Sequence, residues 1–446
     1  MRVAAICLLT GMGLVLLASS SERLRAEQPD TGDTVVKLTY TTMKDINDYV
    51  LPKHVRKEVV DSLDLPNGKG RGIKCNVTQQ YVEIDMDLDG KPDTKAAQSG
   101  KVVEINVAYD NGVKRKYAIL LWHMPTVDWT RSTDPMPWYY TSASAVSGVI
   151  DGKKFLIFDD NCNGTYNDFG ADSIVFASGK GGWYIAQVMD FGKGPVEISV
   201  APDGTSLSYH PVTGPTGSID VLSGLAKASF KPLAIGLVGE SKTANALRPD
   251  GKPALLPVGK FRFDGAVIDR MITVLGGSLP ASEVTEGGTA VVKWGGPFTM
   301  LFMESPGPDY PRAYRTVNLD THTFYCEPPY IKGQNGEVYV GTQQLCLPDK
   351  ALASNDPDCP SKFMLIPEKI TFQIEILEPE SRKVLNPSRT YTAARSTLEP
   401  NSAKNYQWDP FIWAYKDLRG TYLLRVTCPT SKMFKEAVFE EKIELK

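Results

Sequence analysis

The stretch that decides the fold runs from Phe155 to Phe176 and reads FLIFDDNCNGTYNDFGADSIVF. Its two ends are apolar and rich in β-branched and aromatic residues, which favour strands. Its centre is dense in carboxylate and amide groups and contains Gly164, a composition typical of the connection between two strands. The sequence therefore predicts two strands joined by an oxygen-rich loop.

This connection, which we call the second loop (residues 159–172), has the composition of a site for a hard cation. Ca2+ takes roughly six to eight oxygen ligands, which proteins supply from carboxylates, amides and backbone carbonyls. Asp159, Asn161 and Asn163 alternate along the chain, so a sharp bend at Gly164 would turn all three side chains inward. The spacing predicts a calcium site.

An earlier stretch repeats this plan. Residues 81–93 read YVEIDMDLDGKPD, an apolar strand followed by aspartates and a glycine, and we call residues 85–93 the first loop. Its candidate ligands are Asp85, Asp87, Asp89 and Asp93. Because calcium affinity follows the charge and rigidity of the ligands, we expect the first loop to bind more tightly than the second. Apolar sequence resumes after the loops at Val102 and Ile174, which indicates either an internal duplication or convergence on a common turn.

The motif from Asp85 to Gly90 resembles the DxDxDG loop of EF-hand, dockerin and thrombospondin type-3 repeats. The resemblance implies side-chain ligands at positions 1, 3 and 5 of the loop, a backbone carbonyl at position 7 and a water-mediated contact at position 9. It gives the last two roles to Lys91 and Asp93 in the first loop and to Thr165 and Asn167 in the second, where Asp168 or Asp172 would close the shell. The predicted metal ligands are therefore Asp85, Asp87, Asp89, Asp93, Asp159, Asn161, Asn163, Thr165, Asp168 and Asp172.

Both loops depart from that pattern at position 12, where Ala96 and Gly170 stand in place of the closing glutamate. No helices are predicted beside them either, so the resemblance implies a calcium turn on a sheet and not a helix-loop-helix sensor. The alternative is that Asp, Asn and Gly occur here only because they favour solvent-exposed turns.

The N-terminus has the pattern of a secretory signal peptide. Arg2 precedes an apolar run from Val3 to Ala18, and small residues then lead to cleavage positions after Ala18, Ser20 or Ala26. The alternative is a retained anchor helix, although the apolar run is short for a bilayer span of about 20 residues. The pattern predicts a protein that is secreted, periplasmic or on the cell surface, with no membrane span once residues 1–26 are removed.

Length and composition predict a multi-domain globular chain. A net charge of −3 without long charge runs gives no electrostatic footprint for nucleic acid or an anionic membrane. Many short β-branched and aromatic runs between turn residues favour a mainly β fold of antiparallel sheets. The predicted division is a signal peptide at 1–26, β-rich domain(s) with both loops at 34–275, a β module at 281–346 and a final β-sandwich at 362–446.

The final segment contains the strand-like runs KITFQIEILE, FIWAYK, GTYLLRVTC and AVFEEKIEL. It resembles an immunoglobulin-like or fibronectin-like module, which implies a sandwich with Trp408 or Trp413 as its core aromatic residue. Tyr422 lies too far before Cys428 for the antibody pattern, so the resemblance carries no disulfide. One short N-terminal helix is predicted at Pro52–Leu63, where apolar residues recur every fourth position.

The cysteines and histidines allow fewer predictions than the two loops. Six cysteines follow Cys7, and an even number in an exported chain permits disulfides. Cys346 with Cys359 is the favoured local pair, and Cys75 with Cys162 would join the two loop-bearing hairpins. His123 lies in LLWHMP among aromatic residues that predict either a ligand platform or a capped sheet end, namely Trp122, Trp129, Trp138, Tyr139 and Tyr140.

These patterns together resemble secreted bacterial proteins that combine DxDxDG loops with β modules, an architecture that implies no particular activity. We therefore expect a secreted, non-enzymatic calcium-binding protein that binds an unknown protein or glycan at the cell surface or in the periplasm. The alternatives are a secreted hydrolase acting on carbohydrate or peptide, with its carboxylates in a cleft, and a structural component of the envelope.

Overall fold

The structure is a computed structural model that describes most of the chain between residues 33 and 445. The longer gaps are residues 44–48, 124–137, 177–180, 226–231, 302–314, 319–322, 346–364 and 396–405, with gaps of one to three residues elsewhere. The described residues form strands and turns and contain no helix, which confirms the mainly β prediction. The predicted signal peptide and Cys346–Cys359 pair lie outside them.

The strands of the first half alternate with short turns. They are β1 (Thr34–Lys37), β2 (Thr39–Thr42), β3 (Lys57–Val59), β4 (Ser62–Pro66), β5 (Arg71–Val77), β6 (Val82–Ile84), β7 (Ala96–Ala97), β8 (Lys101–Ala108), β9 (Lys114–His123), β10 (Trp138–Ser142), β11 (Ser144–Ile150), β12 (Lys153–Phe158), β13 (Ser173–Phe176), β14 (Trp183–Tyr184), β15 (Val188–Asp190), β16 (Pro195–Val200), β17 (Ser206–Pro211), β18 (Thr216–Asp220) and β19 (Pro232–Gly239).

The strands of the second half continue the same pattern. They are β20 (Thr243–Asn245), β21 (Ala254–Pro257), β22 (Gly259–Ile268), β23 (Ile272–Leu275), β24 (Ser282–Val284), β25 (Thr289–Val291), β26 (Thr299–Leu301), β27 (Arg315–Asn318), β28 (Thr323–Cys326), β29 (Tyr330–Lys332), β30 (Val338–Gly341), β31 (Gln343–Leu345), β32 (Leu365–Pro367), β33 (Ile370–Leu377), β34 (Thr390–Arg395), β35 (Tyr406–Gln407), β36 (Phe411–Ala414), β37 (Gly420–Thr427) and β38 (Val438–Leu445).

One long sheet connects distant parts of the chain. Its strand order is β1-β17-β16-β15-β20-β19-β22-β23-β30-β29-β26, and β24 also pairs with β22. Most pairs are antiparallel, as predicted, but β15 runs parallel to β20. The sheet therefore hydrogen-bonds strands from both sides of the glycine-rich segment at 276–288.

Three smaller sheets position the two loops. The first loop follows the middle strand of β5-β6-β7, which β4 extends, and the second follows β12 in the sheet β14-β13-β12-β11-β2. Both loop-bearing strands pair antiparallel with the strand before and the strand after them. The sheet β3-β10-β9-β8 lies beside them and contributes to the same core. Each loop thus closes one turn of an antiparallel meander.

Two main hydrophobic cores fill the molecule. The first collects buried side chains from Leu38 to Leu207 and includes Cys162 and Tyr166 of the second loop. The second runs from Val188 to Leu445 and takes side chains from both the long sheet and the C-terminal strands. The second loop is therefore anchored in a core, because two of its own residues pack there.

The helix predicted at Pro52–Leu63 is wrong. This segment contains β3 and the start of β4, with a bend at Val60 between them. A repeat of four residues fits a helical turn, but four is also an even number, so the same residues share one face of a strand. Leu63 and Leu65 are both buried and Asp64 is exposed, which is the alternation of a strand.

The predicted Cys75–Cys162 disulfide is also wrong, because both residues are free thiols, as is Cys428. Cys162 is fully buried and Cys75 packs against the same core, so both behave as small apolar side chains. Burial raises the pKa of the Cys75 and Cys428 thiols to about 12. These thiols remain protonated at neutral pH, and export gains no support from disulfides in the described part of the chain.

Candidate metal centre

The first loop is folded around the carboxylate of Asp85. Its Oδ1 accepts the backbone N–H of Asp89 at 3.0 Å, and its Oδ2 accepts that of Gly90 at 2.9 Å. The Asp89 Oδ1 accepts the N–H of Lys91 at 2.7 Å. These bonds turn the chain sharply and bring the alternate side chains to the same side.

Three of the four predicted acids of the first loop meet. The carboxylate oxygens of Asp85, Asp87 and Asp89 lie within 4.8 Å of one another, with Asp85 buried and the other two exposed. Asp93 instead closes the loop, because its Oδ2 accepts the Met86 N–H at 2.7 Å and its own N–H donates to the Ile84 carbonyl at 3.1 Å. The first loop therefore offers a mostly exposed cluster of carboxylates.

The second loop has the same turn around Asp159. The Asp159 Oδ1 accepts the N–H of Asn163 at 3.0 Å, and its Oδ2 accepts that of Gly164 at 2.5 Å. The Asn163 Oδ1 accepts the N–H of Thr165 at 2.8 Å. Each bond matches one in the first loop, with donor and acceptor at the same positions.

The backbones of the two loops also match. Position 4 is left-handed in both, with φ of 67° at Leu88 and 57° at Cys162. Position 6 is glycine with positive φ in both, 97° at Gly90 and 84° at Gly164. Non-glycine residues rarely adopt positive φ, so the shared strain at position 4 makes the two turns one structural type.

In the second loop the predicted polar side chains converge on Asp168. Its Oδ2 accepts the Asn161 amide at 3.0 Å, the Asn163 amide at 2.5 Å and the Thr165 hydroxyl at 2.9 Å. Burial alone would raise the pKa of Asp168, but these hydrogen bonds outweigh burial and lower it. The Thr165 group that joins this cluster is the hydroxyl, whereas the resemblance implies the carbonyl. The Asn167 carbonyl accepts the Phe169 N–H at 3.1 Å.

The second loop also buries acids and leaves three of its side-chain oxygens without a hydrogen-bond partner. Asp159 and Asp172 are both fully buried, and neither forms an ion pair in the described part of the chain. Within those residues, Oδ1 of Asn161, the hydroxyl of Tyr166 and Oδ1 of Asp172 are buried with no hydrogen-bond partner. Asp172 reaches into the loop through its other oxygen, which accepts the Asp168 N–H at 2.9 Å.

Burial acts strongly on these acids. It raises the pKa of Asp159 to about 6, against hydrogen bonds from Tyr117, Asn163 and Gly164 that favour the charged form. Burial likewise raises the pKa of Asp172, and the nearby negative charge of Asp159 adds to that effect. Leaving a buried oxygen without a partner costs free energy, and carboxylate and amide oxygens are the ligands that Ca2+ takes. The chemistry of the second loop is therefore compatible with Ca2+, but among the described residues a group of three carboxylates close enough for one metal ion is found only at Asp85, Asp87 and Asp89.

Residues that the sequence patterns did not indicate hold the second loop from outside. Tyr117 of β9 donates its hydroxyl to the Asp159 Oδ2 at 2.5 Å, and Tyr109 donates to the Gly164 carbonyl at 2.7 Å. Arg71 of β5 donates to the Asn163 carbonyl at 2.5 Å. These contacts join residues 42 to 92 positions apart, so no local motif could reveal them.

The predicted aromatic platform is only partly described. Trp138 and Tyr140 are buried in the first core, and Tyr139 packs against a smaller neighbouring cluster. The Trp138 indole donates to the Thr78 carbonyl at 2.8 Å. Trp138 and Tyr140 are therefore core residues and Tyr139 is half-buried, whereas Trp129 and the side chains of Trp122 and His123 lie outside the described part.

Among the described residues, no helix is long and apolar enough to cross a bilayer.

Comparisons with protein-family models, with curated proteins and with solved structures each return no match. The candidate site therefore rests on geometry alone.

Proposed function

We propose that this chain is a secreted calcium-binding β protein whose two loops stabilise its N-terminal region. The observation that carries the proposal is the pair of buried oxygens without a partner among the described residues, on Asn161 and Asp172, beside the fully buried Asp159. The first loop supports it with the same backbone turn and three clustered carboxylates. Two loops of one type are harder to explain as ordinary turns than one.

The proposed setting is outside the cytoplasm. Calcium sites of extracellular modules bind with Kd values of about 10⁻⁴ to 10⁻³ M, which suits an environment rich in calcium. An ion that binds only the folded chain raises the free energy of unfolding by RT ln(1 + [L]/Kd). This contribution is about 2.7 kcal/mol when the free calcium concentration is 100 times Kd. The N-terminal segment supports export by its sequence pattern alone.

Within this setting we propose binding or adhesion, toward a protein or glycan ligand, at the cell surface or in the periplasm. Calcium would stiffen the loop-bearing meanders and would not take part in chemistry. A cavity of about 210 Å³ is lined partly by Glu283, Lys293 and Asn335, and none of the loop residues lines it. The close meeting of Asp85, Asp87 and Asp89 in one turn supports metal binding by these acids.

We also propose that the C-terminal strands form an immunoglobulin-like sandwich. Support comes from the antiparallel sheet β35-β34-β33-β37-β38 and from Trp413, which is buried in the second core. The second layer would be the sheet β27-β28-β36, in which β36 pairs with a strand from the preceding module. The sandwich would then take strands from both predicted modules.

The test is thermal unfolding in calcium and in excess chelator. We expect calcium to raise the Tm of the wild type by a few degrees, given about 2 to 3 kcal/mol of linkage in a chain of this size. Asp159→Asn keeps the size and one acceptor oxygen of the side chain but removes the charge, so its calcium response should shrink. Asp85→Asn should do the same for the first loop.

Asp220→Asn is the matched control. Asp220 also accepts backbone N–H groups in a turn, from Leu222 and Ser223, but belongs to neither loop. Its calcium response should equal that of the wild type. A wild type that melts at the same temperature in calcium and in chelator would overturn the proposal.

A further inference from the structure

The two loops differ in the number of bonds made by their first carboxylate. Asp85 accepts one backbone N–H on each oxygen. Asp159 accepts the same two, and its Oδ2 also accepts the Tyr117 hydroxyl at 2.5 Å. A carboxylate has about four lone-pair sites, two on each oxygen. The Oδ2 of Asp159 is therefore fully used, and its one free site is on Oδ1.

From this arrangement we infer that Tyr117 is a positioning residue of the second-loop metal site, fixing the Asp159 carboxylate so that Oδ1 alone can ligate the ion. The inference rests on the proposed function. Tyr117 lies in β9, and Asp159 follows β12 in a different sheet. The hydrogen bond between Tyr117 and Asp159 joins these two sheets, so a change in the Asp159 carboxylate on ion binding would be felt in both.

Two further contacts also connect the second loop to neighbouring sheets. Tyr109, at the end of β8, donates to the Gly164 carbonyl at 2.7 Å. Gly164 itself lies so close to β4 that an added Cβ would meet the Pro66 Cδ at 2.4 Å. The second loop is thus packed between strands of separate sheets, and a fixed loop geometry transmits ion binding to them.

Hydrogen bonds that orient a metal ligand commonly matter for affinity, and their loss weakens metal binding about 10- to 100-fold. Tyr117→Phe removes only the hydroxyl and keeps the ring in the core. The Asp159 Oδ2 would then regain a free lone pair and the carboxylate could rotate. We expect calcium affinity at the second loop to fall about tenfold or more.

The experiment is calorimetric calcium titration in an Asp85→Asn background, in which the first loop is impaired. The parent, Tyr117→Phe and Tyr339→Phe variants are compared for Kd and for Tm in chelator. Tyr339 is the matched control, because it is also a buried tyrosine that donates to a buried carboxylate, that of Glu337 at 3.0 Å. Both variants should lower the Tm in chelator, but only Tyr117→Phe should weaken calcium binding.

Three outcomes separate the possibilities. Weaker binding by Tyr117→Phe alone supports the inference, and a smaller loss with Tyr109→Phe would strengthen it. Equal Kd values in the parent and in Tyr117→Phe overturn the inference and leave the proposed function standing. A parent that binds no calcium, together with a wild type that melts at the same temperature with and without chelator, overturns both. Tyr109→Phe also serves as the test if Tyr117→Phe fails to fold.

Discussion

At the scale of single residues, the buried acids that the structure describes include both ion-paired and unpaired examples. Asp190 is paired, since Arg248 reaches its Oδ2 at 3.1 Å while backbone N–H groups of Gly192 and Gly194 fill the other oxygen. Asp159 has hydrogen bonds but no ion pair among the described residues, and burial raises its pKa. A buried charge needs a partner of opposite sign, so an acid without an ion pair is where an ion has most to contribute.

Asp264 is a largely buried acid far from the loops in sequence, and it allows a test by pH. Burial raises its pKa, against the hydrogen bond from the Trp183 indole at 3.1 Å. Above the unfolded pKa of about 3.9, the unfolded chain releases this proton more readily than the folded chain, so stability falls as pH rises to the folded pKa. Asp264→Asn lacks this loss of stability, so at pH 7 its unfolding midpoint should lie at a higher urea concentration than that of the wild type.

The advantage of Asp264→Asn should shrink as the pH is lowered through the raised pKa of Asp264, because the wild-type carboxyl then becomes protonated in the folded chain. Asp250→Asn is the control of opposite sign, because the Arg248 guanidinium lowers the pKa of Asp250. That variant should be slightly less stable than the wild type at pH 7, with the gap closing in acid. An Asp264→Asn advantage that persists undiminished below the unfolded pKa of about 3.9 would contradict the assignment.

Some contacts of the two loops can be predicted from the sequence and others cannot. Alternate acids and amides followed by glycine are local, so the meeting of Asp85, Asp87 and Asp89 follows from their spacing alone. The contact of Tyr117 with Asp159 depends on packing between two sheets, and nothing in KRKYAILLW distinguishes that tyrosine. The prediction that the first loop binds calcium more tightly than the second stays a prediction. The first loop has more clustered carboxylates, but the second is the buried one.

At the scale of elements, short-range patterns predicted strands well and their partners poorly. The runs KVVEINVAY and KRKYAILLW form β8 and β9, paired through a tight turn after Ala108. By contrast, β1 pairs with β17, far along the chain, and β15 runs parallel to β20. Alternation indicates which face of a strand is buried, whereas the choice of neighbour depends on packing of the whole sheet.

The loop as an element permits a matched pair of substitutions. Gly90 and Gly164 share positive φ, so alanine at either position carries backbone strain of about 1 to 2 kcal/mol. A Cβ at Gly90 would meet no described heavy atom within 4 Å, whereas a Cβ at Gly164 would overlap the Pro66 Cδ at 2.4 Å. Overpacking adds about 1 to 3 kcal/mol. Gly164→Ala should therefore be clearly less stable than Gly90→Ala in denaturant unfolding with chelator present.

Measuring in chelator separates this steric difference from any loss of calcium. If the two glycine variants lose equal stability there, the second loop is not packed against β4. If both equal the wild type, the left-handed turns themselves are absent from the protein in solution.

At the scale of the whole molecule, hydrogen bonding and packing cross the predicted division near residues 276–280. β22 pairs with β24, and β23 pairs with β30, so the long sheet continues over that segment. The ring of Phe263 packs on Trp294 with centroids 5.0 Å apart, and the Trp294 indole donates to the Val221 carbonyl at 2.7 Å. The predicted boundary at residue 275 would remove these partners from the first segment.

A fragment of residues 33–275 tests that boundary directly. It would expose the edge of β23 and the face of Phe263, and unpaired edges and apolar faces promote aggregation. We expect the fragment alone to be insoluble or to lack a cooperative thermal transition, and co-expression with residues 276–446 to restore a soluble complex. Co-expression controls for damage that the cut alone causes. A solitary fragment that melts cooperatively, and responds to calcium as the full chain does, would show that residues 33–275 fold independently of the C-terminal strands.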